Sequence, residues 1–293
     1  MEELRYASDE VEAIVLPAVG ARLHRLRAFG HELLRTPSDL GVYAREPFFW
    51  GCFVMAPWCN RIATQPVQVG GRRVALTANF SDGTAIHGQV YNRAWQIEAD
   101  ALRIRAGADD WPWAYEVSQR VSVVGPVLRI SLELVNRSDE PMPAGVGLHP
   151  WFRRPLQAAI HGGAVHPDNA DSAPLPDAPR GRFDLHRLAA VPDGLDATWT
   201  QVASPLGLAW PNLGIEARMH IETPAINVVA ASPSELDAIA IEPQTHAPQG
   251  LRRLLAGEPG GLALLAPGES LRLVAALEFQ LDWPTAPELT TNW

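Results

Sequence analysis

The sequence contains no lysine, only two cysteines and no long hydrophobic run. Its 24 basic side chains are therefore all arginines, and with 33 carboxylates they leave a formal net charge of −9. Because a protein that binds nucleic acid needs a basic surface, this balance argues against such a partner. No stretch approaches the roughly 18 apolar residues that a membrane helix requires, so no membrane partner is expected either.

The two cysteines, Cys52 and Cys59, lie close together in an apolar stretch and do not form a CxxC pair. Two cysteines cannot build the disulfide framework of a small secreted protein, so we predict buried free thiols and a reducing compartment. The first ten residues are acidic and lack the basic and apolar regions of a signal peptide. We therefore expect a cytoplasmic protein.

Alternation of apolar and polar residues with a period of two dominates the chain. It is clearest at 128–134, 215–222 and 271–281, and the segments 95–99 and 102–104 are typical of a hairpin. Each pattern indicates a half-buried antiparallel strand. The 26 prolines and 23 glycines interrupt the chain at short intervals and leave little room for helices. The sequence thus predicts an all-β fold, either a sandwich or a barrel.

Length and composition predict one domain. All-β folds often exceed roughly 200 residues as a single unit, and the 293 residues contain no internal repeat or low-complexity linker. A single domain over 1–293 is the simplest interpretation. The stretch 153–196, which is rich in proline, aspartate and glycine, is predicted to form long loops over one face.

Two motifs carry the candidate proton-transfer residues. His149 lies in the run Gly-Leu-His-Pro-Trp-Phe, at a predicted rim just past a strand, and Glu242 lies in Ile-Glu-Pro-Gln-Thr-His, at the end of an apolar strand. Histidine titrates near neutrality, and desolvation raises the pKa of a carboxyl, so the two could act as a matched acid and base. Each has a structural alternative, namely a rim histidine that caps a carbonyl and a glutamate paired with an arginine.

Other residues could bind a polyhydroxylated ligand. Arg61 can fork onto vicinal hydroxyls or a carboxylate, and His87 can donate to a substrate oxygen, although a lone residue of either type more often has a structural role. Asp196 would accept hydrogen bonds from hydroxyls, but an aspartate in such a loop is usually a turn former or a helix cap. Trp151 and Phe152 favour a sugar ligand, because aromatic faces stack on sugar rings.

Other chemistries have weaker support in the sequence. No Walker loop or GxSxG motif is present, no GxGxxG follows a strand, and the histidines lack HExxH or HxH spacing. A metal site would need ligands scattered along the chain. His87, His149, Glu242 and His246 could converge in this way, as in a cupin-like oxygenase, and this function is kept as an alternative.

In chain order, the motifs resemble those of the aldose 1-epimerase (galactose mutarotase) family. The matching pieces are Asn60-Arg61-Ile62, His87-Gly88, the segment from Asn136 through the run at 147–152, Leu195-Asp196, Glu242-Pro243 and the closing turn Pro267-Gly268-Glu269. The resemblance implies a galactose mutarotase-like β-supersandwich of antiparallel sheets with a sugar in an open cleft. It places His149 at the general acid, Glu242 at the general base, and Arg61, His87 and Asp196 at sugar-binding positions. The nearby Asp193 is the alternative to Asp196.

By this resemblance the protein is expected to be an isomerase, a mutarotase that interconverts the anomers of a free aldohexose without a metal or another cofactor. A hexose-6-phosphate 1-epimerase is one alternative; it needs a cationic pocket, for which Arg153 and Arg154 are candidates. A non-catalytic sugar-binding protein is another, although binding alone would not require both His149 and Glu242. The Glu-Pro-Gln-Thr-His pattern resembles a bacterial subgroup of less-defined specificity, so the sugar itself stays open.

Overall fold

The computed structural model describes residues 1–167 and 176–281. Within them the chain forms mainly β-strands. The strands are β1 Leu4–Ala7, β2 Val11–Leu16, β3 Arg22–Ala28, β4 His31–Glu32, β5 Cys52–Met55, β6 Arg61–Ile62, β7 Val67–Val69, β8 Arg72–Val74, β9 Ala85–Ile86, β10 Gln96–Glu98, β11 Ala101–Ala106, β12 Tyr115–Val124, β13 Val127–Asn136, β14 Met142–Ala144, β15 Gly147–Arg153, β16 Gln157–His166, β17 Ala189–Ala190, β18 Asp196–Trp210, β19 Ile215–Glu222, β20 Asn227–Ala231, β21 Ala238–Gln244, β22 Ala263–Leu265 and β23 Ser270–Leu281. The helices are α1 Val42–Arg45, α2 Gly250–Ala256 and the 3-10 turns Pro17–Val19 and Gly181–Phe183. No helix in these two ranges is long and apolar enough to cross a membrane.

Two antiparallel layers share the long strand β18. One layer runs β10–β11–β12–β13–β23–β19 and ends on the C-terminal part of β18. The other starts on the N-terminal part of β18 and runs β20–β21–β15–β5–β3–β2–β1. Strand β16 pairs with β18 along nearly its whole length and so joins both layers. The fold is all-β and antiparallel, as predicted from the sequence.

The main core lies between these layers. Leu132 of β13 and Leu277 of β23 belong to the same buried cluster as Leu148 of β15 and Ile241 of β21. Burying each such side chain stabilises the fold by roughly 1.5–3 kcal/mol. Because successive strand residues point to opposite faces, the neighbours of these core residues on β15 and β21 point to the outer face of their layer.

The strands predicted from alternation are confirmed. They correspond to β13, β19, β23 and the hairpin of β10 and β11. The prediction of long loops over 153–196 is wrong for β16, which occupies Gln157–His166. This strand is rich in alanine and glycine and shows no apolar alternation. At Gly162 the small residue has a packing reason, since a Cβ there would meet Trp199 side-chain atoms at 2.9 Å. Residues 168–175 of that stretch lie outside the described residues.

The predicted placement of His149 and Glu242 at strand ends is also wrong. Both lie inside strands, because β15 and β21 continue past Pro150 and Pro243. Proline has no N–H and usually marks an edge strand or the end of a strand, which explains the prediction. The pairing of β15 with β21 is interrupted around Pro150, while β15 keeps β5 on its other side.

Candidate active site

The floor of the site is the outer face of β15, β21 and β5. Along β15, the core-facing residues alternate with His149 and Trp151, which line a cleft on the outer face. On β5, Phe53 is directly opposite His149, and the two rings stack with centroids 4.5 Å apart at 24°. Because side chains alternate along a strand, His149 points into the cleft, and one face of its ring is covered by Phe53.

His149 and Glu242 face each other across neighbouring strands. Gly147 pairs with Gln244, and because antiparallel strands step in opposite directions, His149 stands opposite Glu242. Their side chains meet at 3.2 Å between Nε2 and Oε1, and each side chain is at most 5% exposed. A proton can pass directly between these two atoms.

Burial dominates the electrostatics of this pair. It raises the pKa of Glu242 well above its usual value, the Asp196 carboxylate raises it further and Arg61 lowers it. Burial also lowers the pKa of the His149 imidazole to about 3, and Arg22 contributes to the lowering. Both shifts favour the uncharged form of each group, which is a neutral imidazole beside a protonated carboxyl.

His87 and Asn60 form a second part of the cleft. Their φ angles of 61° and 56° are in the left-handed region, which is uncommon outside glycine and concentrates at functional sites. The Asn60 N–H donates to His87 Nδ1 at 3.2 Å, and the His87 N–H donates to the Asn60 carbonyl at 3.1 Å. Since Nδ1 accepts a bond, a neutral His87 carries its hydrogen on Nε2. Burial, with His149 and Arg61, lowers its pKa well below the usual value.

Arg61 is held between two carboxylates. Its Nε donates to Asp82 Oδ2 at 2.9 Å, and its Nη1 lies 3.2 Å from Asp196 Oδ2. Asp196 is the first residue of β18, so the aspartate that sequence alone favoured as a turn former begins a strand instead. The Arg61 guanidinium also lies 5.5 Å from the centre of the Phe80 ring. These contacts fix the direction of the guanidinium fork at the edge of the cleft.

The cleft has a volume of about 270 Å³. Ligand pockets usually measure roughly 300–1,000 Å³, so this one suits a small ligand such as a single sugar ring. Sequence reasoning missed several of its lining residues, among them Phe48, Phe49, Phe80 and Glu235. The only signal for the first two was the run Phe-Phe-Trp in a segment without strand periodicity. All five residues expected at the site, His149, Glu242, Arg61, His87 and Asp196, line this one cleft.

Several other residues singled out in the sequence have structural contacts instead. Asp193 accepts a bond of 2.6 Å from Arg154, which also donates to three backbone carbonyls. Arg153 donates through Nε to a carbonyl of the chain segment before α1. Phe152 is buried in the core against Trp210, so of the two aromatic residues after Pro150 only Trp151 lines the cleft.

Both ring nitrogens of His246 form hydrogen bonds with backbone groups. Its Nε2 accepts the Cys59 N–H at 2.9 Å, and its Nδ1 lies 2.8 Å from the Ala247 carbonyl. Neither nitrogen is available to a metal ion unless one of these bonds breaks. The described residues contain no group of three or more histidine, cysteine, aspartate or glutamate side chains arranged as metal ligands. The ligand set of the oxygenase alternative is therefore not assembled.

Comparisons with known proteins identify the family of the chain. The sequence profile of the aldose 1-epimerase family matches residues 5–277, so the chain belongs to this family. The uncharacterised protein YphB of Escherichia coli is 25% identical over 271 residues, which are 86% of this chain and 89% of that protein.

Two solved structures show the same fold. A galactose mutarotase-like protein of Clostridium acetobutylicum has a TM-score of 0.81 at 19% identity, covering 96% of this chain and 98% of its own. A GalM/aldose epimerase homologue of C. elegans has a TM-score of 0.78 at 16% identity, with coverage of 96% and 99%. The predicted galactose mutarotase-like supersandwich is thereby confirmed.

Proposed function

We propose that this protein is an aldose 1-epimerase, a mutarotase that interconverts the α and β anomers of a free aldohexose. The observation that carries the proposal is the His149–Glu242 pair, buried side by side on the floor of a small cleft. A binding protein has no need for two adjacent buried titratable groups, whose desolvation costs stability. Proton transfer on a bound sugar does need them.

The reaction moves one proton in each direction. Glu242, as carboxylate, takes the proton of the anomeric hydroxyl while protonated His149 gives a proton to the ring oxygen. The C1–O5 bond breaks, C1 becomes an aldehyde carbon, and rotation about C1–C2 exposes its other face. The reverse transfers close the ring as the other anomer. An acid and a base at one pH are obtained when two groups have different environments.

The charge states of the pair fit this cycle. Ring opening converts imidazolium and carboxylate into neutral imidazole and neutral carboxylic acid, which is the arrangement that burial favours at this pair. The buried site thus stabilises the protonation state that accompanies the open-chain aldehyde. When the ring form of the sugar binds, the proton must first move from Glu242 Oε1 to His149 Nε2, which are 3.2 Å apart.

The polar and aromatic residues at the edge of the cleft are suited to binding a sugar. Arg61 and the Nε2–H of His87 supply donors, and the Asp196 carboxylate supplies acceptors for hydroxyl groups. Trp151 and Phe80 supply aromatic surface for the apolar face of a sugar ring. We propose that these residues orient the anomeric carbon over His149 and Glu242.

The charges around the cleft favour a neutral sugar over a sugar phosphate. Arg61 is the one arginine that lines it among the described residues, and it is already paired with two carboxylates, while Glu235 adds another acidic group. The two candidate phosphate ligands, Arg153 and Arg154, donate to backbone and to Asp193. We expect kcat/KM to be at least about tenfold lower for glucose 6-phosphate than for glucose, because like charges oppose binding. A higher value for the phosphate would reverse this assignment.

Anomer exchange measured by NMR on a panel of free hexoses tests the function. Glu242→Gln and His149→Asn should each lower kcat by about 10²–10⁴-fold with a smaller change in KM. Glu222→Gln is the matched control, because Glu222 is an exposed carboxylate of β19 paired with Arg129. Wild-type rates in either of the first two variants would contradict the assignment.

A further inference from the structure

Arg22 of β3 is a buried cation that the proposed chemistry does not use. Its relative exposure is 0%, and the groups that act on its charge are Tyr43, Cys52 and Tyr91, none of which is a carboxylate. Burial lowers its pKa to about 10, so it stays charged at neutral pH. A charge without a counter-charge inside a protein is destabilising unless polar contacts offset its burial. The contacts of Arg22 should therefore indicate what this cation does.

One set of contacts fixes a wall of the cleft. The segment Pro47–Trp50, here the wall segment, carries Phe48 and Phe49 into the cleft. Each of its four carbonyls accepts a bond from a side chain elsewhere in the fold. These bonds are Arg22 Nη2 to Pro47 O at 2.8 Å, Trp151 Nε1 to Phe48 O at 2.6 Å, Arg35 Nη1 to Phe49 O at 2.7 Å and Arg22 Nη1 to Trp50 O at 2.7 Å. Arg22 thus holds both ends of the segment.

A second set of contacts leads to His149. The Arg22 guanidinium lies between the rings of Tyr43 and Phe53, 4.6 Å and 4.9 Å from their centres. Phe53 in turn stacks on the imidazole of His149. The three groups form a column in which the cation is separated from the proposed acid by one aromatic ring.

We propose that Arg22 is a positioning residue of this site, which holds the wall segment and, through Phe53, fixes the plane of the His149 imidazole against Glu242. The assignment rests on the proposed function, because it takes His149 as the acid. The positive charge behind the ring disfavours imidazolium, so a protonated His149 releases its proton to the substrate more readily. Arg22 would act on the reaction without touching the sugar.

The other groups that face His149 are known from the structure. They are Glu242 on β21 and His87 after β9; the neutral thiol of Cys52 on β5, whose pKa burial raises to about 12, contacts only the His149 backbone from the core side. A substitution at Arg22 leaves Glu242 and His87 in place, and Cys52 stays neutral because Arg22 lowers the pKa of this thiol and its loss would raise that pKa further. A change in the titration of His149 in such a variant can therefore be assigned to the lost guanidinium.

The test compares Arg22→Met with Arg35→Met. Arg35 holds the same wall segment but stacks on Trp50 and pairs with Asp237, away from the Phe53 column. In Arg22→Met we expect the His149 titration midpoint, followed by imidazole NMR and assigned with His149→Asn, to rise. We also expect kcat to fall about tenfold, as for a slightly misplaced catalytic group, with KM within about threefold. Arg35→Met should leave the midpoint unchanged.

Equal midpoint shifts in the two variants, or a wild-type midpoint and kcat in Arg22→Met, would overturn the proposal. Two further variants keep it testable if Arg22→Met does not fold. Arg22→Lys keeps the charge but not the fork, and Phe53→Leu keeps Arg22 but removes the stacked ring. A wild-type kcat in both would equally overturn it. If the wild type exchanges no sugar anomers, the proposed function fails, yet the NMR midpoints still decide the role of Arg22.

Discussion

The buried histidines should make the stability of the fold sensitive to acid, and His246 gives the clearest case. His246 is 1% exposed, and burial lowers its pKa to about 4. In the unfolded chain the same ring titrates near 6.5. Between these values the unfolded state binds a proton that the folded state does not. The contribution of His246 is therefore complete above pH 6.5 and is lost as the pH falls towards 4.

The size of this effect follows from the width of the window. One proton changes the free energy of unfolding by about 1.4 kcal/mol for each pH unit. Over the window from 6.5 to about 4, His246 alone should remove about 3 kcal/mol, a large part of the roughly 5–15 kcal/mol of a typical domain. Buried His149 and His87 act in the same direction, and Glu242, with its raised pKa, acts in the opposite one.

Urea unfolding at several pH values between 7 and 4.5, followed by tryptophan fluorescence, measures the effect. His246→Gln lowers stability at neutral pH but removes this titration, so the stability gap to the wild type should narrow by about 1 kcal/mol per pH unit on acidification. His220→Gln is the control, because His220 is about half exposed on β19. A gap between wild type and His246→Gln that stays constant with pH would refute the reasoning.

Two further predictions concern the surroundings of the cleft. Gly88→Ala should destabilise the fold by roughly 1–3 kcal/mol and raise KM, because a Cβ at this left-handed position would lie 1.9 Å from the Ala56 carbonyl and displace His87; an unchanged urea midpoint would contradict this. Cys52 and Cys59 are free and buried, and burial raises the pKa of both thiols. Neither should react with a thiol reagent in the native protein, whereas both should react in urea; rapid labelling of the native protein would contradict this prediction.

Where apolar and polar side chains alternate, the sequence alone predicted the strands and therefore the all-β fold class. Strands such as β19, in which Ile, Ala, Met and Ile alternate with charged residues and a histidine, are of this kind. Strand β16 was not predictable in the same way, since a small residue is required at Gly162 by the bulk of Trp199. That requirement comes from a residue more than thirty positions away. The local sequence of β16 therefore gives no sign of this requirement.

The candidate residues of the site were also found by motif, but their surroundings were not. Phe80 and Asp82 reach Arg61 from a loop whose only local signal is a turn sequence. Glu235 lines the cleft through a connection between β20 and β21. Such residues are placed by the packing of distant segments, so a single sequence gives no reason to select them.

The pairing of His149 with Glu242 depends on strand register. Both residues precede a proline, and Pro150 and Pro243 both point between the layers among apolar side chains. Since successive strand residues alternate, this places each preceding polar residue on the outer face. A shift of β15 against β21 by two residues would keep every apolar face buried, yet it would set His149 opposite Gln244 or an alanine. The period of two brings both groups to one face, but only the register between β15 and β21, which lie about ninety residues apart in the chain, brings their side chains into contact.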